Sequence, residues 1–457
     1  MSTIATEKKQ FKPVDLSKTG YMVNGFNVED TDKLDDEMRS IVQRRENDLG
    51  PAYKLFYQTP VEIVRGKGVY LYDQNGEAYL DVYNNVPSVG HSHPYVVNAV
   101  HEQLKTLNTH TRYGSKLILD YSERLLSTFP EEIGNIMYTC TGSEANDLAL
   151  RVAQAHTHAQ GIIVTENAYH GNTSLITGIS MSMGPNVPIS PNVRWVPAPI
   201  DHHDGKDVGE VLAENIHKAA ADLKRHGYGL AAFIADTIFA TDGVLTDQPG
   251  FLKPAVEAVH EEGGVFIADE VQPGFARTGR TMWGFQRHDV VPDIVTMGKP
   301  MGNGLPIAAM AARPEVLHEF GTSQRYFNTF GGNTVCIAAA TAVLDVIKNE
   351  HLMENCSRVG DYFLKELKNF AQDNPHLGDV RGAGLFLGLD IVQPDGSGNP
   401  DPAMCLTLVN ELRKRHVLTG ATGKNANILK IRPQLPFQEN HVDIFMNALR
   451  ETLQFME

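Results

Sequence analysis

Residues 265–279 read "VFIADEVQPGFARTG". A strongly apolar run ends in two carboxylates, Asp269 and Glu270, and then in a Pro-Gly turn. Four to eight apolar residues bounded by turn signals read as a buried strand. Neighbouring strand residues point to opposite faces, so the two acids are expected to serve different partners. A carboxylate at a buried strand end is costly unless a donor or a cation meets it. A salt bridge, a cap and a ligand contact all satisfy that demand. A shared metal is disfavoured, because no histidine stands nearby at ligand spacing.

The pattern repeats on both sides of this stretch. "NIMYTCT" (135–141), "GIIVTEN" (161–167), "LAAFIADTI" (230–238) and "DIVTMG" (293–298) read as strands. Between and before them, "YVVNAVHEQLKTL" (95–107), "LILDYSERLLSTF" (117–129), "SEANDLALRVAQAHT" (143–157) and "GFLKPAVEAVHEEGG" (250–264) carry helical periodicity. Such alternation predicts an α/β domain with a largely parallel sheet, whose ligands bind beyond the carboxyl ends of the strands. Upstream, "VEIVRGKGVYLYDQNGEAYLDVYNN" (61–85) alternates around Asp73-Gln74-Asn75-Gly76, a hairpin signal. The charged run "DTDKLDDEMRSIVQRREN" (30–47) reads as a solvated surface helix. Past residue 345 the order changes. Helical "SRVGDYFLKELKNFAQ" and "MCLTLVNELRKRHV" flank strand-like "GLFLGLDIV", and "NILKIRPQL" follows, as in a smaller α+β domain. The expected division is an N-terminal segment 1–85 that contributes to the small domain, a large domain 86–345, and a small C-terminal domain 346–457.

The bulk numbers agree with a globular enzyme-sized chain. Of 457 residues, 42% are hydrophobic and 21% charged. A net charge of −15 argues against a general nucleic-acid or anionic-membrane binder, though not against a local cationic pocket. No stretch approaches the ~20 apolar residues of a membrane helix. Four scattered cysteines (140, 336, 356, 405) imply neither a disulfide framework nor a metal site. With a polar start, "MSTIATEKKQFKPVD", these features lead us to expect a soluble protein of the cytoplasm, with no membrane, nucleic-acid or metal partner.

Four stretches carry chemistry. In "TCTGSEANDLAL" (139–150) a strand runs into Thr141-Gly142-Ser143 and a helix, an anion site in the making, or a plain cap by Ser143. Asp269 and Glu270 are the second. In "GKPMGNG" (298–304) Lys299 stands at the abrupt end of an apolar strand. A desolvated lysine becomes a nucleophilic amine; a lysine paired with an acid or reaching out from the domain edge is the bland reading. In "NAYHG" (167–171) Tyr169 is placed to stack on a planar ligand or to pack on the core. Together these ask for one ligand with a phosphate, a stackable ring, a ring nitrogen and a carbonyl that traps lysine. Pyridoxal 5′-phosphate has all four.

The combination "TGSEAN", "AYHG", "DEVQPGFARTG", "MGKPMGNG" and "FNTFGGN" resembles the class III aminotransferases among the fold type I pyridoxal-phosphate enzymes, over about residues 50–457. The resemblance implies a large domain with a mostly parallel sheet flanked by helices, plus a smaller α+β domain from both chain ends. It implies that Lys299 holds the cofactor as a Schiff base and shuttles the proton. Asp269 would pair with the pyridine nitrogen and Gln272 approach the phenolic oxygen. Val271 and Tyr169 would cover the two ring faces, with His170 beside them, and Gly142 and Ser143 would bind the phosphate. Thr329 would reach the phosphate of the neighbouring subunit. That makes an obligate homodimer with shared active sites, and leaves a tetramer open.

Within the class, "NNVPSVGHSHP" (84–94), "LNTHTRY" (107–113), "VPDIVTMGKPMGNG" (291–304) and "GDVRGAGLFLGLDIV" (378–392) are most similar to ethanolamine-phosphate phospho-lyases. These eliminate phosphate from O-phosphoethanolamine, or a similar phosphorylated amine, to give an aldehyde, ammonia and phosphate. Arg432, in "LKIRPQLPF", would bind the departing phosphate, with Tyr57, Asn85 and Arg112 as further substrate contacts. The alternative is an ω-aminotransferase using pyruvate or glyoxylate, in which Arg432 would bind the carboxylate of an amino-acid substrate. One departure bears on it: where class III members carry a Glu-containing, glycine-rich stretch, this chain has "ADTIFATDGV" (235–244), with Asp236 at the acidic position and Asp242-Gly243 for a Gly-Gly.

Overall fold

The computed structural model describes residues 22–200, 207–246 and 248–456. The first 21 residues of the expected N-terminal segment, with the polar start, lie outside the described residues. Near the N-terminus, β1 (Ile63–Lys67), β2 (Tyr70–Asp73) and β3 (Ala78–Asp81) form an antiparallel meander. Its second turn is the expected one. The Asp73 carboxylate accepts from the Asn75 and Glu77 amides, and Gly76 takes the left-handed φ of 84° that closes the turn.

The central sheet is built from β4 (Asn135–Thr139), β5 (Gly161–Thr165), β6 (Val193–Val196), β7 (Leu230–Asp236), β8 (Val265–Asp269), β9 (Ile294–Met297) and β10 (Ala308–Ala312), in the order β4-β10-β9-β8-β7-β5-β6. Every pairing from β9 through to β6 is parallel, and only β10 runs against its neighbours. Because β10 is antiparallel to both β4 and β9, those two point the same way. The carboxyl ends of β4, β5, β7, β8 and β9 therefore share one edge. The segments leaving that edge begin at residues 140, 166, 237, 270 and 298, and they hold all four chemistry-bearing stretches.

The remaining strands are β11 (Leu377–Ala383), β12 (Phe386–Ile391), β13 (Val417–Leu418), β14 (Gly420–Thr422) and β15 (Ile428–Ile431). β11, β12, β15 and β14 form an antiparallel sheet, whereas β13 lies parallel to β3 and completes the N-terminal sheet. The helical run near residue 40 is real but not wholly solvated. α1 (Asp36–Leu49) buries Met38 and Val42 against Phe26 and Leu34, a small satellite core. α2 (Pro94–Thr106) and α3 (Lys116–Leu126) match the two helical patterns between β3 and β4.

Candidate active site

β7 and β8 end in register, Asp236 beside Asp269. The two acids of "ADEV" part as their alternation requires. Asp269 Oδ2 accepts from His170 Nδ1 at 2.7 Å and from Asn146 Nδ2 at 2.9 Å, and its Oδ1 accepts from the Val271 amide at 3.1 Å. Glu270 turns to the other side, where it accepts from Thr237 Oγ1 and from the Gly284 and Phe285 amides. It is a structural clamp, and the two carboxylates share no partner. Burial pushes the Glu270 carboxyl up to about 7. A raised carboxyl pKa contributes stability that is present below the unfolded value and lost as pH rises through the folded one. We expect the advantage in melting temperature of the native protein over Glu270→Gln to be largest near pH 5 and to shrink by pH 8. A gap that widens with pH would refute this.

α4 (Gly142–Thr157) starts where β4 ends. The cap is Thr141, not Ser143: Thr141 Oγ1 accepts from the Glu144 amide, and Glu144 reaches back to the Cys140 and Thr141 amides. The first amides of a helix, here those of Gly142 and Ser143, have no acceptor within it. Ser143 Oγ instead meets Asn172, at 3.0 Å from its Oδ1 and 3.1 Å from its amide. Close packing fixes this corner. A Cβ on Gly171, whose φ is 137°, would lie 2.4 Å from Ser143 Oγ.

Lys299 opens a single 3₁₀ turn, Lys299–Gly302, directly after β9. The turn is pinned by the loop before α2. Ser88 Oγ donates to Pro300 O, the Val89 amide donates to Asn303 Oδ1, and Asn303 Nδ2 donates to Gly90 O. Asn303 takes the left-handed φ of 48° that ends the turn. Burial, then the Arg432 charge, pushes the Lys299 amine below its usual range. The lysine faces a cavity of about 260 Å³ lined also by Gly142, Ser143, Tyr169, His170, Asp269, Val271 and Gln272. Asp236 lines it too, and burial and the neighbouring Asp269 raise its carboxyl to about 6. Asp242 lies away from this cavity and is held by Thr165 Oγ1 and the Asn167 amide.

Arg432, just past β15, is buried. Its guanidinium donates to Gln272 Oε1 and lies 4.6 Å over the Tyr83 ring. With Oε1 so engaged, the amide nitrogen of Gln272, a residue that lines the cavity, is the end left to donate. Lys430 stands two residues earlier, hence on the same face of the strand, and is also buried. Sequence reasoning missed it, although "LKIR" sets two cations at strand spacing, which is the signal that could have found it. Burial and Arg432 hold the Lys430 amine well below its usual range, against the pull of Asp236.

The other expected substrate contacts divide. Tyr57 is buried, but its hydroxyl donates to Thr419 O. Asn85 is buried with Nδ2 lacking a partner. Arg112 is exposed and stacks on Phe327, 3.9 Å from the ring centre. Thr329 is exposed as well. None of Tyr57, Asn85, Arg112, Thr329 and Arg432 is among the residues that line the Lys299 cavity of its own chain. Asn146 and Thr296, neither singled out from sequence, close on Asp269 from behind.

A match to the family model for aminotransferase class III covers residues 54–453. The chain is 38% identical to "Alanine--glyoxylate aminotransferase 2-like" of Drosophila melanogaster, over 90% of this chain and 86% of that protein. It is 36% identical to "Ethanolamine-phosphate phospho-lyase homolog 1" of Caenorhabditis elegans, over 91% and 93%. A solved phospholyase from Arthrobacter in complex with phosphoethanolamine superposes with a TM-score of 0.87 at 42% identity, covering 91% of this chain and 99% of that one. The chain belongs to the class III aminotransferase family of pyridoxal-phosphate-dependent enzymes, with the fold type I architecture. Among the described residues, no helix is long and apolar enough to cross a membrane.

Proposed function

We propose that this enzyme is a phospho-lyase that eliminates phosphate from O-phosphoethanolamine or a similar phosphorylated amine, and that Lys299 carries its pyridoxal phosphate. The residues fit that cofactor. The free amides at the start of α4 suit its phosphate, and Val271 and Tyr169 suit its ring faces. Asp269 suits the ring nitrogen, and the unengaged Gln272 amide nitrogen suits the phenolic oxygen. His170 Nε2 is buried without a partner, as beside a ligand. Bound there, the cofactor supplies an electron sink for the pair left when a proton departs from the carbon next to the substrate nitrogen.

The chain's own groups account for the rest. Lys299, freed as an amine when substrate enters, takes that proton; its depressed pKa keeps it a competent base. The observation that carries the lyase reading is the buried Arg432 guanidinium, just past β15, with the buried Lys430 amine two residues before it, an amine that a doubly charged ligand would favour in its protonated form. Arg432 leans on neutral partners, Gln272 and the Tyr83 ring, and has no carboxylate ion partner among the described residues. Arginine donates in bidentate fashion to carboxylate and phosphate alike, but a carboxylate brings one charge to such a site and a phosphate monoester close to two. Asn85, with its unpaired amide, is a third donor for that phosphate. The carbon–oxygen bond then breaks with its electron pair going to phosphate, and water releases acetaldehyde and ammonia.

In the same reading the enzyme is a cytoplasmic homodimer in which Thr329 and Arg112, exposed in the single chain, reach the partner's site. The test is inorganic phosphate release from phosphoethanolamine without a keto acid. We expect stoichiometric phosphate and acetaldehyde. Transfer of the amino group from alanine to glyoxylate, with no phosphate released, would replace this reading with the aminotransferase one.

A further inference from the structure

Asp269 is met by donors on every side the protein controls, and the donor that orders the others is Asn146. It is buried, one turn into α4. Its amide nitrogen donates twice, to Asp269 Oδ2 at 2.9 Å and to His170 O at 2.7 Å. Its amide oxygen accepts from Thr296 Oγ1 at 2.5 Å, and Thr296 is buried on β9 in register with Asp269. These partners leave the amide a single orientation. Flipped, its oxygen would face a carboxylate and a carbonyl, and its N–H groups would face a hydroxyl whose proton has no other acceptor here. His170 Nδ1 fills the rest of Oδ2. Oδ1, held only by the Val271 amide, is the oxygen left over.

The position of Asn146 on α4 adds a second function for the same contact. Asn146 lies four residues after Gly142, on the same helix face and about 6 Å along the axis. One rigid element thus carries both the amides at Gly142 and Ser143 and the side chain that fixes Asp269. We propose that Asn146, oriented by Thr296, is a positioning residue that presents Asp269 Oδ1 to the cofactor's ring nitrogen at a distance from the phosphate site set by α4. This rests on the assignment of Asp269 to the ring nitrogen.

The test compares two ligands on the same full-length protein, stripped of cofactor. One is pyridoxal 5′-phosphate; the other is its 1-deaza analogue, in which C–H replaces the ring nitrogen. Dissociation constants are measured for the native protein, Asn146→Leu, Thr296→Val and Thr296→Ser. Because each ratio comes from one sample, a misfolded fraction cancels from it. The native protein should prefer the nitrogen ring. Asn146→Leu should cut that preference about tenfold, the worth of one hydrogen bond to a charged group. Thr296→Val should cut it by a smaller factor, and Thr296→Ser, which keeps the hydroxyl, should restore it. Should Asn146→Leu not fold, Thr296→Val against Thr296→Ser carries the comparison. If the variants weaken both ligands equally, or neither, Asn146 is merely structural and the proposal falls. If the native protein shows no preference, the role given to Asp269 falls with it.

Discussion

Lys299→Ala should yield a folded protein with no measurable phosphate release and without the near-visible absorbance of a lysine-bound cofactor. The expected loss is at least about 10³-fold, because in the proposed function a single side chain both anchors the cofactor and moves the proton. Folding should survive for a reason internal to the site. Burial and the Arg432 charge already disfavour the charged amine, so its removal relieves a cost rather than breaking an ion pair. The 3₁₀ turn is held by hydrogen bonds of Ser88, Val89 and Asn303 that do not involve the lysine side chain. Melting curves and a phosphate assay on the same preparation check both halves. Turnover that persists in the alanine variant would overturn the catalytic assignment.

The second large effect is expected at β15. Arg432→Gln should lower kcat/KM for phosphoethanolamine by about 100-fold, the order of 3 kcal/mol that follows when a buried phosphate loses one charged donor. Lys430→Met, which keeps an unbranched chain of similar length, should add a further loss, and the two should not be additive because Arg432 and Lys430 interact electrostatically. The discriminating measurement is any residual transfer between alanine and glyoxylate. If the Lys430 amine takes up its proton beside a doubly charged ligand, Lys430→Met should lose phosphate release far more than carboxylate handling. Equal losses for both substrates would remove the argument from paired cations.

Much of this architecture was legible because burial on both faces leaves strands such as "VFIADEV" and "GIIVTEN" as uninterrupted apolar runs between Gly-, Pro- and Asn-rich turns. "AAMAA", the antiparallel β10, was not. Alanine favours helix, and only the gap between β4 and β9 makes these five residues a strand. The site divided along a similar line. Asp269 and Lys299 declared themselves because polar groups at the ends of apolar strands need a reason to be there. Asn146 did not, since an asparagine inside a helix looks like any other until Thr296 and Asp269, far away in sequence, close on it. The cap was misplaced by two residues, because Thr141 and Ser143 both suit a helix start and only the reach of Glu144 to the Cys140 and Thr141 amides separates them. Whether Arg112 and Thr329 meet a ligand depends on surfaces beyond one chain.

The pairing of β13 with β3 has a consequence for how the enzyme comes into being. On the open side of β3, Leu80 and Asp81 pair with Val417 and Leu418, and Arg432 follows within one further hairpin. Contacts so distant in sequence form late. A ribosome-bound chain that has completed the central sheet, with Lys299 and Asp269 already in place, still lacks the strand that closes its first sheet, and Lys430 and Arg432 with it. On the proposed function, synthesis and competence therefore finish together: a chain cut short before residue 417 has Lys299 and Asp269 but neither Lys430 nor Arg432 to meet a phosphorylated substrate.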